Sequence, residues 1–177
     1  KEDEEFRLSI SEIAENSVDT PHLKFLHGAP IIPPVEFEAN GPISKYSIMD
    51  GYIWGIGHGP GISETRHNKG DVAMLMFALS TPVHEELTRT RMAFTWKKYP
   101  EGSEEAKTAE HLYHHSIGEA EGEDSAGFES VDLIVWDNKK YRPNPLLCDG
   151  DGPILKFREY FKQFYVEKNE AQKAAAE

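Results

Sequence analysis

Cysteine is all but missing from this chain: Cys148 stands alone among 177 residues. A single thiol cannot close an internal disulfide, build a cysteine zinc site or hold an iron–sulfur cluster. Basic residues are also scarce, with 19 Lys and Arg against 31 Asp and Glu, a net charge of −12. That balance argues against nucleic acid, which is bound by neutralising phosphates with cations, and equally against a polybasic membrane anchor. Long apolar runs are absent too. No window approaches the roughly 18 residues of a membrane span, and the opening KEDEEF has no apolar signal core. A cytoplasmic location is the expectation. What is present, 38% hydrophobic and 11% aromatic residues, suffices for one folded domain over 1–177.

The order of patterns predicts an α+β fold. Ser9 and Glu12 have capping-box spacing, and Ile10, Ile13, Ala14 and Val18 share a helical face. Pro21 cannot sit deep in that helix, so a break is expected at Asp19, which would cap a short second segment. Alternating runs follow in VEFEAN, ISKYSIMD, YIWGIG, DVAMLMFALSTPV and LTRTRMAFTW, enough for a curved antiparallel sheet of about five or more strands. From Ser103 to Tyr141 the pattern is helical, interrupted by GEAEGEDSAG. Pro153 then opens a long helix striped by Ile154, Phe157, Phe161, Phe164 and Tyr165, before a tail, EKNEAQKAAAE, expected to fray.

Three residues suggest chemistry. His22 and His27 are five apart, which on a regular helix puts them about 140° from each other. Convergence on one ion therefore needs a π-type irregularity or a helix end, and Pro21 and Gly28 mark the backbone there as irregular. Asp132 falls with Phe128, Val131 and Val135 on one helical face, opposite Asp137. A carboxylate on an apolar stripe costs free energy unless it is paired or binds metal. Two ordinary half-buried histidines and a hydrogen-bonded Asp would satisfy the same pattern. So would the two-histidine, one-carboxylate facial triad of non-haem Fe(II), or a zinc hydrolase, though no general base for the latter is apparent.

The run ENSVDTPHLKFLH resembles the Asn-x-x-Asp-x-x-His-x4-His motif of Rieske non-haem iron oxygenases. DLIVWDNKKYRPNPLLCDGDGPILKFREYFKQFYV looks like the C-terminal region of their steroid-directed branch, which holds 3-ketosteroid 9α-hydroxylase oxygenase components and cholesterol 7-desaturases. The resemblance implies a helix-grip (START/Bet v1-like) catalytic domain with mononuclear Fe(II) on His22, His27 and Asp132. It matches Asp19 to the acid that links a ligand histidine to the Rieske cluster of a neighbouring subunit, and Asn16 to a residue near the iron. It implies a steroid or sterol-like substrate with O2, hydroxylated or desaturated, a ferredoxin/reductase electron donor, and a homotrimer. The family's [2Fe–2S] cluster is required but has no Cys and His pairs to hold it here. The cluster domain is expected outside this piece, with another chain or a lost activity as the alternatives.

Other features read as structure. His111 and His115 have i, i+4 spacing but fit a solvated helix face. GIGHGPGIS lacks the Lys-Ser/Thr of a phosphate loop and reads as turns; the family resemblance places this region at the substrate cavity or its mouth and so implies Trp54 and His58 as pocket candidates. A non-enzymatic lipid or steroid carrier of the same fold is the competing reading, since it needs the cavity but no metal.

Overall fold

The structure, a computed structural model, describes residues 4–117 and 128–166, with only the backbone at 4 and 128–130. The glycine-rich interruption and the expected fraying tail fall at 118–127 and 167–177, outside the described residues. Seven strands form one open antiparallel sheet in the order β1-β7-β6-β5-β4-β3-β2. Strands β2 (Val35–Asn40), β3 (Ile43–Ile48), β4 (Ile53–His58), β5 (Ile62–Lys69), β6 (Val72–His84) and β7 (Leu87–Trp96) run as a meander. Two of its hairpins open on a glycine at positive φ, Gly41 and Gly70, which a two-residue loop demands. Two strands lie outside the five expected runs: β5, which begins within the stretch read as turns, and β1 (Glu4–Phe6), three residues of an acidic run pinned to β7, with Arg89 bonded to Glu5.

Strand register decides the site. Phe37, Tyr46, Gly55, Thr65, Met76 and Phe94 lie side by side across six strands. The next inward row holds Ile48, Ile53, His67, Met74 and Trp96. Helix α5 (Ile154–Phe161) packs on β2 and on α1 (Ile10–Glu15), burying Phe157 and Phe161 against Val18, Phe37, Tyr46 and Ile48. Helix α3 (Glu104–Ser116) starts where the Ser103 hydroxyl accepts the Ala106 N–H at 3.1 Å, and packs Ala109 and Leu112 on Val72 and Met74. Helix α4 (Phe128–Asn138) sets Trp136 edge-on to Phe6 with centroids 5.5 Å apart.

Several local expectations are corrected. No capping box forms at Ser9; its hydroxyl bonds Ser11, while Glu12 is drawn into an ion cluster. Asp19 does not cap α2 (Pro21–Phe25), because Thr20 holds that position and Pro21 is the first helical residue. The C-terminal helix is eight residues, not long. Its last turn tightens to a 3-10 turn (Lys162–Phe164), where the Gln163 amide caps the Tyr160 carbonyl at 2.9 Å and also reaches Gly41. On α4 the buried pair is Asp132 and Trp136, while Val135 is exposed, so the inward stripe is rotated from the sequence reading yet still carries Asp132.

A buried ionic cluster joins the helices. Arg158 of α5 forks onto Glu15 of α1, with Nε at 2.5 Å and Nη2 at 2.9 Å, and also reaches Glu12 at 3.7 Å. Lys139, just past α4, lies 3.1 Å from Glu12, which is 1% exposed. Removing one member of such a cluster strands the others. Arg158→Met is expected to lower unfolding free energy by about 3–5 kcal/mol in urea titrations.

Burial pushes the His67 imidazole down to about 4, and His115 of α3 adds to the effect. Between that value and the ordinary 6.5 the unfolded chain binds the extra proton, so stability is full above pH 6.5 and falls as pH drops towards 4. His67→Gln is expected to flatten this part of the pH–stability curve relative to wild type.

Candidate metal centre

The two histidines meet because α2 does not end regularly. The His22 carbonyl accepts both the Leu26 N–H at 2.8 Å and the His27 N–H at 3.2 Å, the second being a π-type i→i+5 bond. Gly28, at φ +73°, then lets the chain reverse so that Ala29 N–H reaches the Leu23 carbonyl. The widened turn sets the two rings with centroids 5.2 Å apart, the convergence that a regular helix denies to this spacing.

Asp132 arrives from α4, 105 residues further along, and places Oδ1 3.2 Å from His27 Nε2. Both side chains are almost wholly buried, at 10% and 5% exposure. One donor atom each from His22, His27 and Asp132 lies within 4.8 Å of the others, and among the described residues no other such group of three is found. Ligands held at ~2.0–2.2 Å from one ion stand roughly 3 Å apart. The His27–Asp132 pair already has that spacing, and small rotations bring in His22.

The His22 tautomer is also set. A carbonyl can only accept, so Nδ1 carries the proton it gives to the Asp19 main chain, and Nε2 keeps its lone pair. Burial pushes the ring below its ordinary value against the pull of the Asp132 and Asp19 carboxylates, which favours the neutral, ligating form. Asn16 holds its amide nitrogen 3.5 Å from the same Nε2. The Asp19 carboxyl is raised by burial, an effect that His22 and Lys139 oppose. Thus all five sequence-selected residues gather here, though Asp19 touches His22 through its main chain rather than its side chain. Two imidazoles and a buried carboxylate, with a cavity beside them, fit a hard-to-borderline divalent ion such as Fe(II).

The cavity lies between helices and sheet. His22, Asn16 and Asp132 line its helical wall; Tyr46, Thr65, His67, Met76 and Met92 line its sheet wall. Sequence reasoning missed Tyr46, Thr65 and His67. Their strand parity was the available signal, since Ser44, Tyr46 and Ile48 alternate inward together. The same parity removes Trp54 and His58, which are not among the lining residues: Trp54 sits under Arg66 at 5.9 Å, and exposed His58 pairs with Glu64 at 3.3 Å. His111 is exposed as expected, stacked on His115. Cys148 is exposed in a turn where its N–H donates to Asp151 at 2.6 Å.

Comparisons with known proteins bear on the fold and the family. Short stretches match curated proteins: 53% identity over 38 residues with cholesterol 7-desaturase of Caenorhabditis elegans, and 49% over 41 residues with a probable 3-ketosteroid-9α-monooxygenase oxygenase component of Rhodococcus rhodochrous. These cover 22% and 23% of this chain and 9% and 10% of the relatives. Among solved structures, NdmA of Pseudomonas putida CBB5 aligns over 99% of this chain and 50% of its own, with TM-score 0.64 and 13% identity. Dicamba monooxygenase bound to dicamba aligns over 99% and 58%, with TM-score 0.53 and 10% identity. The chain thus spans about half the length of these structural neighbours, and at such identity they speak for the fold alone. No helix among the described residues is long and apolar enough to cross a membrane. Residues 2–165 match the 3-ketosteroid 9α-hydroxylase C-terminal domain, so the chain belongs to that family, the catalytic domains of Rieske non-haem iron oxygenases.

Proposed function

We propose that this chain is an oxygenase catalytic domain that holds one Fe(II) on His22, His27 and Asp132 and uses O2 to hydroxylate or desaturate a steroid or sterol. The carrying observation is the convergence of His22, His27 and Asp132 from two distant segments, with His22 and Asp132 lining an apolar cavity. Bound there, Fe(II) would supply O2 activation, with positions left open for O2. The chain's own part is to hold the ligands, keep His22 neutral and exclude water from the reacting carbon. Electrons would come from a Rieske [2Fe–2S] cluster outside this chain's residues, fed by a ferredoxin/reductase pair. Asp19 stands as the link towards that cluster, and a homotrimer would present it to a neighbouring copy. The sheet with α5 laid against β2 and α1 supports the helix-grip description.

The cavity measures about 180 Å3, below the ~300–1,000 Å3 usual for small-molecule sites. A fused-ring substrate therefore needs the lining to yield. Met76 and Met92 are the side chains able to do so, being unbranched and soft. A carrier would use the same cavity, yet it has no use for a buried carboxylate set against two imidazoles.

Anaerobic loading with Fe(II) is expected to give one iron per chain, lost in His22→Ala and in Asp132→Ala. Retention of iron in both variants would overturn the triad. Asp19→Asn is expected to keep the iron and lower substrate turnover by about 10–100-fold when assayed with its electron donors.

A further inference from the structure

Hydroxyl bookkeeping on the sheet wall leaves one proton over. Tyr46 and Thr65 face each other across β4 with their oxygens 2.5 Å apart, and both residues are buried. Each hydroxyl has one proton, and a single hydrogen bond between them uses one of the two. The second proton needs an acceptor, and the described structure gives the pair none. A buried donor without an acceptor is costly, about 1–3 kcal/mol, and such groups are seldom left in that state.

The pair exists because glycine lies between its members. Tyr46, Gly55 and Thr65 are successive members of one cross-strand row. A Cβ on Gly55 would lie 2.5 Å from the Tyr46 ring and hydroxyl and 2.6 Å from the Glu64 carbonyl. With no side chain there, the tyrosine crosses β4 along the sheet and brings its hydroxyl to Thr65. Gly57 repeats the device one row on, where Ser44 Oγ occupies the place a Cβ would take at 2.5 Å. Both members of the pair line the cavity that also takes in His22 and Asp132. Burial pushes the Tyr46 phenol up to about 12, so it remains a proton donor throughout the physiological range. The other hydroxyl pair on this wall, Ser80 with Thr90 at 3.0 Å, includes a half-buried Ser80 within reach of solvent.

We propose that the Tyr46–Thr65 pair is a hydrogen-bonding station for a carbonyl or hydroxyl oxygen of the substrate, and so determines which carbon is presented to the metal ligands. This rests on the apolar polycyclic substrate proposed above. The pair touches substrate and not the reacting atoms, so its role is orientation and selectivity. The other side chain of that row that lines the cavity, Met76, is apolar, so an oxygen bound beside it would lose its hydrogen bonds.

The test is equilibrium binding to metal-free protein, read by quenching of tryptophan fluorescence, since Trp136 lines the cavity. The probes are 5α-androstan-3-one, 5α-androstan-17-one and 5α-androstane, which share a skeleton and differ in one oxygen. Wild type is expected to bind at least one ketone about tenfold more tightly than the hydrocarbon, the size of one hydrogen bond to a buried donor. The double variant Tyr46→Phe/Thr65→Val removes both hydroxyls with little change of shape, a replacement that is nearly neutral for folding. It is expected to bind the ketones no more tightly than the hydrocarbon, because the ketone oxygen is then buried without a donor, with hydrocarbon affinity kept as the sign of an intact cavity. Equal binding of ketones and hydrocarbon by wild type would overturn the station, and so would a ketone preference that survives in the variant. Failure of wild type to bind any of the three would instead remove the steroid reading, and the station as a steroid anchor with it.

Discussion

The site depends on an ionic knot, its carboxylates buried and its cations half-buried, that touches none of the three candidate ligands. Glu12 and Glu15 leave α1 on the side facing α5, where the Arg158 guanidinium forks across Glu15 and Lys139 closes on Glu12. Arg158 also donates to the Arg142 carbonyl at 2.6 Å and lies over the Tyr141 ring. Apolar packing alone is non-directional and would allow the helices to slide. A planar fork on a carboxylate fixes register as well as distance. Glu15 immediately precedes Asn16, and Lys139 follows the helix that carries Asp132. Holding those two charged groups at one point therefore holds both halves of the metal site.

Within the first half, geometry comes from a departure from regular helix. Had the histidines been four apart, an ordinary helix would have aligned them and would have needed no proline or positive-φ glycine. Spacing of five demands the wide turn that closes on the His22 carbonyl, and Gly28 permits the reversal after it. The irregularity is local and serves the placing of the two rings, in keeping with the tendency of π-type turns to mark functional sites. The His22 Nδ1–H, directed at the Asp19 main chain, adds orientation that a side-chain partner on a flexible stem would give less firmly.

Much of this was legible in the sequence where one physical rule acted alone. Alternation marked the five main strand runs, and the irregularity required by His22 and His27 could be stated from their spacing. Asp132 stood out because a carboxylate on an apolar stripe asks for a partner. The readings that failed are those where two rules competed. Ser9 and Glu12 match a capping box, but Glu12 gains more from Lys139 and Arg158 across the fold than from a local N–H. Phe164 and Tyr165 continue the helical stripe, yet Gln163 ends the helix by capping Tyr160. Strand β1 has an acidic, unpatterned sequence, and only its pairing with β7 makes it a strand. Val135 and Trp136 each fit an inward position by spacing, and Phe6 selects the tryptophan. The choice of His22, His27 and Asp132 as candidate ligands was carried by resemblance to a family motif; the structure shows how close together they lie.

The same alternation explains why the glycine-rich strand pointed the sequence reading to the wrong side chains. Trp54 and His58 are conspicuous residues of β4, but they share the face opposite the cavity. What the inner face offers at this strand is the lack of side chains at Gly55 and Gly57, which makes room for Tyr46 and Ser44 to lie across it. The sheet therefore shapes the cavity largely through absences, while the helices supply the charged and ligating groups. Because the two walls belong to different layers, sheet residues can change without disturbing the knot that sets the metal ligands. A fold built this way separates the placing of the three candidate ligands, which the helices fix, from the shaping of the cavity, which the sheet supplies.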